Sequence, residues 1–430
     1  MAGRCQVVDV ILADFIFVFY RQTAFLCSKL YIMKTTSLKQ QLCKTFIIFI
    51  LGINISYAQQ KIRTIKSTSE KALISDGENV KLDWHLEPGV NPDVYYVNIP
   101  AQKSIIKFKT DQDELTIRTR PQKKYDFVVL LNEKDSCHIQ IASVLPPDVP
   151  HLETKNTYPA KVPFKLISSK IFFDGKINNK NVLVQFDLGA GTSVVNRSSS
   201  EKIGLEFSSH KMVNNTQGVN KERTSLNNQM TISGLKWGSI ELTEVGNMNN
   251  FEDIIIGNGF FRDKIIEIDY DKKEFTIYEN LPNKVRDYKK MPVYYVQNRP
   301  MFEAEIVHNN KKYNSWFLFD TGRDGSMLIG NDFTGLKNNW QELQPLTIAN
   351  GRKIIRLDAF IAGMEFKDIV TNASDPAVPN AKASLFGNQI LKHFNMILDN
   401  KTATLYLKPN LLTNEPYFNY ESYLKQMLNK

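Results

Sequence analysis

From about residue 160 onward, short apolar runs alternate with pairs of polar residues, the pattern of strands joined by tight turns. Val182-Leu-Val-Gln-Phe186 and Trp316-Phe-Leu-Phe319 read as buried strands. Each stops at a carboxylate, Asp187 or Asp320, bends at a glycine two residues on, Gly189 or Gly322, and resumes as Val194-Val195 or Met327-Leu-Ile329. The polar stretches Ile177-Asn-Asn-Lys-Asn181 and Val307-His-Asn-Asn-Lys-Lys312 precede them as turns, so each run is the second strand of a hairpin. Further on, Ile265–Asp269 with Phe275–Tyr278, and Met396–Asp399 with Ala403–Tyr406, predict closing hairpins, while Phe260–Lys264 and Ile390–Phe394 predict one short helix each. Leu346–Leu357 is centred on Asn350-Gly351, a pair that favours a type I′ hairpin, and Asn214–Asn220 is the corresponding candidate in the first half. Either hairpin is a projecting flap or a plain structural meander.

These elements occur twice. Both copies place Phe before the Asp, Gly two residues after it and Ser six after it, Ser193 or Ser326. Downstream, Ile254-Ile-Ile-Gly257-Asn258 answers Ser384-Leu-Phe-Gly387-Asn388. Gly257 to Asp269 and Gly387 to Asp399 are both 12 positions, whereas Asp187 to Gly257 is 70 and Asp320 to Gly387 is 67. A framework that repeats while its loops vary is a duplicated unit, here residues 160–282 and 288–409.

Upstream the texture changes. Val80–Trp84, Val94–Val97, Ser104–Lys109, Leu115–Arg118, Phe127–Leu131 and His138–Ile141 are short strand candidates parted by turn residues, which predicts an antiparallel β-sandwich over 59–148. Leu145-Pro-Pro-Asp-Val-Pro150 is a stiff linker into the repeats. The fold class is therefore all-β: a sandwich-like domain followed by two tandem β lobes. The tail, 410–430, is polar and aromatic, and is either a closing helix or mobile.

Composition adds less. The chain has 430 residues and 42% hydrophobic content, enough for two or three cores, and its net charge of +9 is spread without a basic cluster, which argues against a nucleic-acid partner. At the amino terminus, Lys34, Lys39 and Lys44 precede the apolar Thr45-Phe-Ile-Ile-Phe-Ile-Leu51, and Ser56-Tyr-Ala58 has the small residues of a cleavage site, so 33–58 reads as a secretory signal. That makes Met33 a candidate start and 1–32 a non-native extension; an uncleaved anchor is the alternative. Cleavage would leave Cys137 as the remaining cysteine, with no intramolecular disulfide and no lipid-anchor cysteine. The six histidines are scattered without metal-ligand spacing, and a complete nucleotide loop and a serine-hydrolase elbow are missing, so neither metal nor cofactor is expected.

One carboxylate per repeat has a chemical meaning. Two lobes packed about a pseudo-twofold axis would bring both to one point, too close for both to ionise, and a dyad sharing one proton can activate water and polarise a carbonyl together. On Asp187-Leu-Gly189-Ala, Asp320-Thr-Gly322, and the paired Ile255-Ile-Gly257 and Leu385-Phe-Gly387, the chain resembles the retropepsin-like aspartic proteases in their tandem single-chain bacterial form. The resemblance covers a little over half the chain and implies that the two tandem lobes are acid-protease-like β-barrels. It implies Asp187 and Asp320 as the catalytic pair, Gly189 and Gly322 as loop-shaping glycines, Thr321 as a hydroxyl brace between loops, and Ser193 and Ser326 as hydroxyls near the carboxylates. It further implies Asp324 and the flap residue Gly351 as contacts to substrate, a peptide or protein, in a monomer.

Three positions depart from the family pattern. Leu188 stands where Thr or Ser is usual, so the brace forms from one side at most; Gly191 replaces an acidic residue. Arg323 replaces a small residue and either turns away from Asp320 or folds back and favours ionisation of both carboxyls. The readings are thus a secreted or periplasmic aspartic endopeptidase, a peptide-binding relative with weak or no activity, or a purely structural surface protein.

Overall fold

The computed structural model describes residues 62–153, 158–215, 218–377 and 383–428, the side chains of 214–219 excepted. The upstream extension and the signal segment expected over 1–32 and 33–58 lie outside the described residues.

The protein is all-β. Its first part holds β1 (Arg63–Ser67), β2 (Lys71–Asp76), β3 (Val80–His85), β4 (Asp93–Tyr96), β5 (Ile105–Lys109), β6 (Glu114–Arg118), β7 (Lys124–Leu131) and β8 (Asp135–Ala142). They form two four-stranded sheets, β1-β7-β8-β4 and β3-β2-β5-β6. Alternating burial along β5 to β8 turns one face of each sheet inward, and the shared core includes Ile74, Phe108, Phe127, Val129, Ile139 and the thiol of Cys137. One expectation is corrected: the sandwich is not purely antiparallel, because β1 runs parallel to β7 and β4 parallel to β8. The strands β1 and β2 escaped the sequence reading because Arg63-Thr-Ile-Lys-Ser67 and Lys71-Ala-Leu-Ile-Ser-Asp76 have few apolar residues each.

Lobe 1 is built from β9 (Ala160–Pro163), β10 (Lys165–Ile167), β11 (Lys170–Ile177), β12 (Lys180–Phe186), β13 (Val194–Asn196), β14 (Ser209–Asn215), β15 (Gly218–Ile232), β16 (Leu235–Val245), β17 (Ile254–Ile256), β18 (Ile265–Asp269) and β19 (Glu274–Tyr278). Lobe 2 repeats the order with β20 (Lys289–Val296), β21 (Arg299–His308), β22 (Lys311–Asp320), β23 (Met327–Leu328), β24 (Thr347–Ala349), β25 (Arg352–Ile361), β26 (Met364–Ala373), β27 (Leu385–Gly387), β28 (Phe394–Asp399) and β29 (Thr404–Pro409). The Asn-Asn turns of the two β-hairpins, 178–179 and 309–310, adopt left-handed backbone angles that Asn tolerates better than most residues.

The lobes meet in one sheet of order β20-β29-β28-β18-β19-β9. That order is palindromic: each lobe contributes its first strand and its closing hairpin, and the central pair β18–β28 is antiparallel with Ile265 opposite Asp399 and Ile268 opposite Met396. A pseudo-twofold axis therefore passes between them. One apolar cluster runs through both lobes, from Val162 and Phe186 to Phe319, Phe386 and Leu407. The sandwich docks through Asn98, which exchanges hydrogen bonds with the backbone of Tyr295 (2.6 and 3.0 Å) and whose carbonyl accepts from Arg262, itself stacked 3.6 Å from the Tyr295 ring. The carboxyl-terminal tail carries a helix, Tyr420–Leu428.

Candidate functional site

In each lobe the strand that ends at the carboxylate pairs in parallel with the short strand that ends at a glycine: β12 with β17, and β22 with β27, where Asp320 lies opposite Gly387. Phe186 and Phe319 are fully buried and anchor the strand ends, so the next residue emerges at the lobe surface. The glycines that close this arrangement are sterically required. A Cβ at Gly257 would lie 2.1 Å from the Ala190 carbonyl oxygen, and one at Gly387 would lie 2.2 Å from that of Gly325.

The two loops interlock. A Cβ on Gly189 would stand 2.6 Å from the Asp320 carboxyl carbon, and one on Gly322 would stand 2.1 Å from that of Asp187, so each glycine makes room for the carboxyl of the other lobe. Asp187 Oδ1 accepts from the backbone N–H of Gly189 (2.6 Å) and of Gly322 (2.9 Å), and Asp320 Oδ1 accepts from Gly322 at 3.1 Å. The two carboxyls thus share the Gly322 N–H.

Burial raises both pKa values, but unequally. For Asp187, burial is opposed by the N–H donors of Gly189 and Gly322. Asp320 stands well above the ordinary carboxyl value, pushed by burial and then by the negative charge of Asp187, with Arg323 opposing. With two N–H donors on Asp187 Oδ1 against one on Asp320 Oδ1, hydrogen bonding favours the negative charge of the pair on Asp187.

Thr321 is fully buried, accepts from the N–H of Leu188 at 2.9 Å and donates to the Phe186 carbonyl at 3.3 Å, clasping the opposite loop. Leu188 cannot reciprocate and is instead buried in the lobe core. Arg323 is half-buried; no ion pair joins it to either carboxyl among the described residues, yet its charge still acts on Asp320. Burial and Asp187 outweigh it.

No family model and no curated protein matches the chain. Among solved structures, the aspartic proteinase from Irpex lacteus is similar over 60% of this chain and 98% of that one, at 10% identity and a TM-score of 0.41. A likeness that loose carries no argument; the duplicated geometry does.

The remaining expected residues are placed as follows. The Ser326 hydroxyl bonds Gln389 (3.1 Å) and the Phe418 carbonyl (3.2 Å), fastening the tail and not a carboxyl. Ser193 is half-buried and lines a cavity of about 190 Å³ together with Ala190, Gly191 and the proline-rich segment Pro146–Pro150. Asp324 is exposed and accepts from Ser169 of lobe 1 at 2.6 Å. Gly351 forms the open tip of the β24–β25 hairpin, at φ 71° after Asn350 at φ 51°, as a type I′ turn requires. The corresponding hairpin of lobe 1, β14–β15, pairs Asn215 with Gly218, its tip lying outside the described residues.

Several residues at the site were not singled out from sequence. Asn258 and Asn388 follow the two equivalent glycines, and each reaches across the pseudo-twofold axis: Asn258 to the Asn298 carbonyl (3.1 Å) and Asn400 (2.8 Å), Asn388 to the Ser169 carbonyl. Their recurrence at matching places was the available signal. Gln185 is buried, donates to the Gly322 carbonyl at 3.3 Å, and leaves its oxygen without a protein partner. Arg299 had no signal in its own stretch; its charge interacts with both Asp320 and Asp187. Among the described residues, no group of three His, Cys, Asp or Glu side chains is arranged to hold a metal, and no helix is long and apolar enough to cross a membrane.

Proposed function

We propose that the protein is an aspartic-type endopeptidase that hydrolyses peptide bonds in peptide or protein substrates, working as a monomer through its two-lobe pairing, without a cofactor. The observation that carries this reading is the reciprocal seating of each carboxyl on the other lobe's glycine. Asp187 takes a proton from water while Asp320 donates its own to the scissile carbonyl oxygen, and the water oxygen attacks the carbonyl carbon. Collapse of the tetrahedral intermediate breaks the C–N bond as the proton held on Asp187 passes to the leaving amine and one hydroxyl proton of the intermediate returns to Asp320, which restores the dyad. The segment 33–58 supports a periplasmic or extracellular location.

Arg323 favours a second reading, a peptide-binding relative without hydrolysis, because a cation beside Asp320 favours loss of the proton the chemistry needs. A mixed peptide library offered to the wild-type chain and to Asp320→Asn, from acidic to neutral pH, separates the two. Cleavage by the wild type that disappears in the variant and is blocked by a statine-type peptide supports the endopeptidase. Cleavage that persists in the variant assigns the chemistry to another residue, and peptide binding without cleavage supports the second reading.

A further inference from the structure

Each lobe carries a cation near the start of the strand that pairs with the carboxylate's own strand. In lobe 2 the β21–β22 ladder ends at Met301 opposite Leu318, and its register carried on two steps would bring Arg299, the first residue of β21, level with Asp320; the Arg299 charge acts on both carboxyls. In lobe 1 the β11–β12 ladder ends at Ile171 opposite Phe186, and one more step would bring Lys170 level with Asp187, on which its charge acts. The two cations are handled differently. Lys170 is neutralised by Glu252, a nearly buried carboxylate at 2.5 Å. Arg299 has no such partner among the described residues; it donates only to the Val296 carbonyl (3.1 Å) and the Gln297 side-chain oxygen (3.4 Å). Lobe 2 then adds Arg323 where lobe 1 has Ala190, and the Arg323 Nε is buried without a protein partner. The adjacent acid, Asp324, is turned to Ser169.

We propose that Arg299 and Arg323 form an anion-reading subsite on the lobe 2 side of the cleft, selecting peptides with an acidic side chain next to the scissile bond. The inference rests on the endopeptidase reading. The dyad with its shared proton carries a single negative charge, which does not balance two arginines, and guanidinium groups half-removed from water are stabilised most by a carboxylate that bridges them. The same position against lobe 1 meets the neutral Ala190-Gly191-Thr192 and a lysine already paired, so the preference is one-sided.

The test uses the full chain and peptide pairs that differ only by Glu or Gln at each position flanking the cleaved bond, assayed where Glu is ionised. Wild type should favour the Glu peptide on one side by on the order of tenfold in kcat/KM, chiefly through KM, a size expected for a charged hydrogen bond. Arg299→Gln with Arg323→Gln should bring that ratio near unity, whereas Arg299→Lys with Arg323→Lys should keep part of it. If the arginines act only on the dyad's proton, the pH profile of the Gln variant moves equally for both peptides and the ratio never exceeds unity, which overturns the inference and leaves the endopeptidase reading standing. If no peptide is cleaved, binding of uncleavable statine-type peptides carrying Glu or Gln is measured instead. A Glu preference there sustains the subsite without the hydrolysis, and failure to bind either peptide ends both.

Discussion

The two lobes share a framework and differ at its most sensitive point. Asp320-Thr321-Gly322-Arg323 supplies a hydroxyl, a cation and the N–H that bonds both carboxyls; Asp187-Leu188-Gly189-Ala190 supplies one N–H and a leucine sunk in the core. A symmetric pair of loops would give two carboxyls an equal claim on one proton. Here the Gly189 and Gly322 donors both reach Asp187 Oδ1 and favour its charged form, while Asp320 Oδ1 receives the Gly322 donor alone. The duplication makes the site, and the divergence of its halves assigns their roles.

The strongest way to break this comparison is to remove one carboxyl at a time. Asp187→Asn and Asp320→Asn should each lower kcat by about 100-fold or more, the scale of lost acid–base catalysis, in a peptide-cleavage assay. Their effects on stability should differ with pH. Asp320 has a raised folded pKa, so the folded state binds more protons above the unfolded value of about 3.9 and stability falls as pH rises through that window. Asp320→Asn should therefore melt higher than wild type at neutral pH and lose that advantage below about pH 4, followed by calorimetry. A constant difference across pH would show that Asp320 does not hold the proton.

Steric changes come next. Gly322→Ala drives a methyl to 2.1 Å from the Asp187 carboxyl carbon, and Gly189→Ala to 2.6 Å from that of Asp320, so both should abolish cleavage. Each should also cost ~1–3 kcal/mol in denaturant unfolding, Gly322 the more. Thr321→Ala leaves the buried N–H of Leu188 unpartnered, for about 1–3 kcal/mol, and loosens both loops. Restoring apparent symmetry with Leu188→Thr should not repair anything, since it places a hydroxyl in the apolar core. The smallest effect is expected at Arg323→Gln on peptides with no acidic residue beside the scissile bond: losing a cation that opposes protonation of Asp320 should move the alkaline limb of the pH–rate profile upward, with little change at its maximum.

What could be read from sequence follows from what is local. The strand ends at Asp187 and Asp320, the Asn-Asn turns, the Asn350-Gly351 hairpin and the glycines at 257 and 387 are set by neighbouring residues, and their periodicity and turn chemistry were visible. The short helices were visible too, but displaced: they span Asn258–Phe261 and Asn388–Leu391, directly after the glycines, in place of Phe260–Lys264 and Ile390–Phe394, and Phe394 already opens β28. Contacts between distant segments were not legible. Asn258 reaches Asn400 across the lobes, Ser326 turns to a tail nearly a hundred residues away, and Asn98 reaches from the sandwich to Tyr295. Each depends on a pairing that no window of sequence contains.

The palindromic sheet has one more consequence. A site assembled from two separate chains exists only as far as its protein concentration exceeds a dissociation constant, and dilution dismantles it. With β18 bonded to β28 inside a single polypeptide, the partner is always present at the local concentration a short tether sets, whatever the protein's abundance. A nick between Glu279 and Tyr288 would hand that advantage back, turning a first-order property of the molecule into a second-order one.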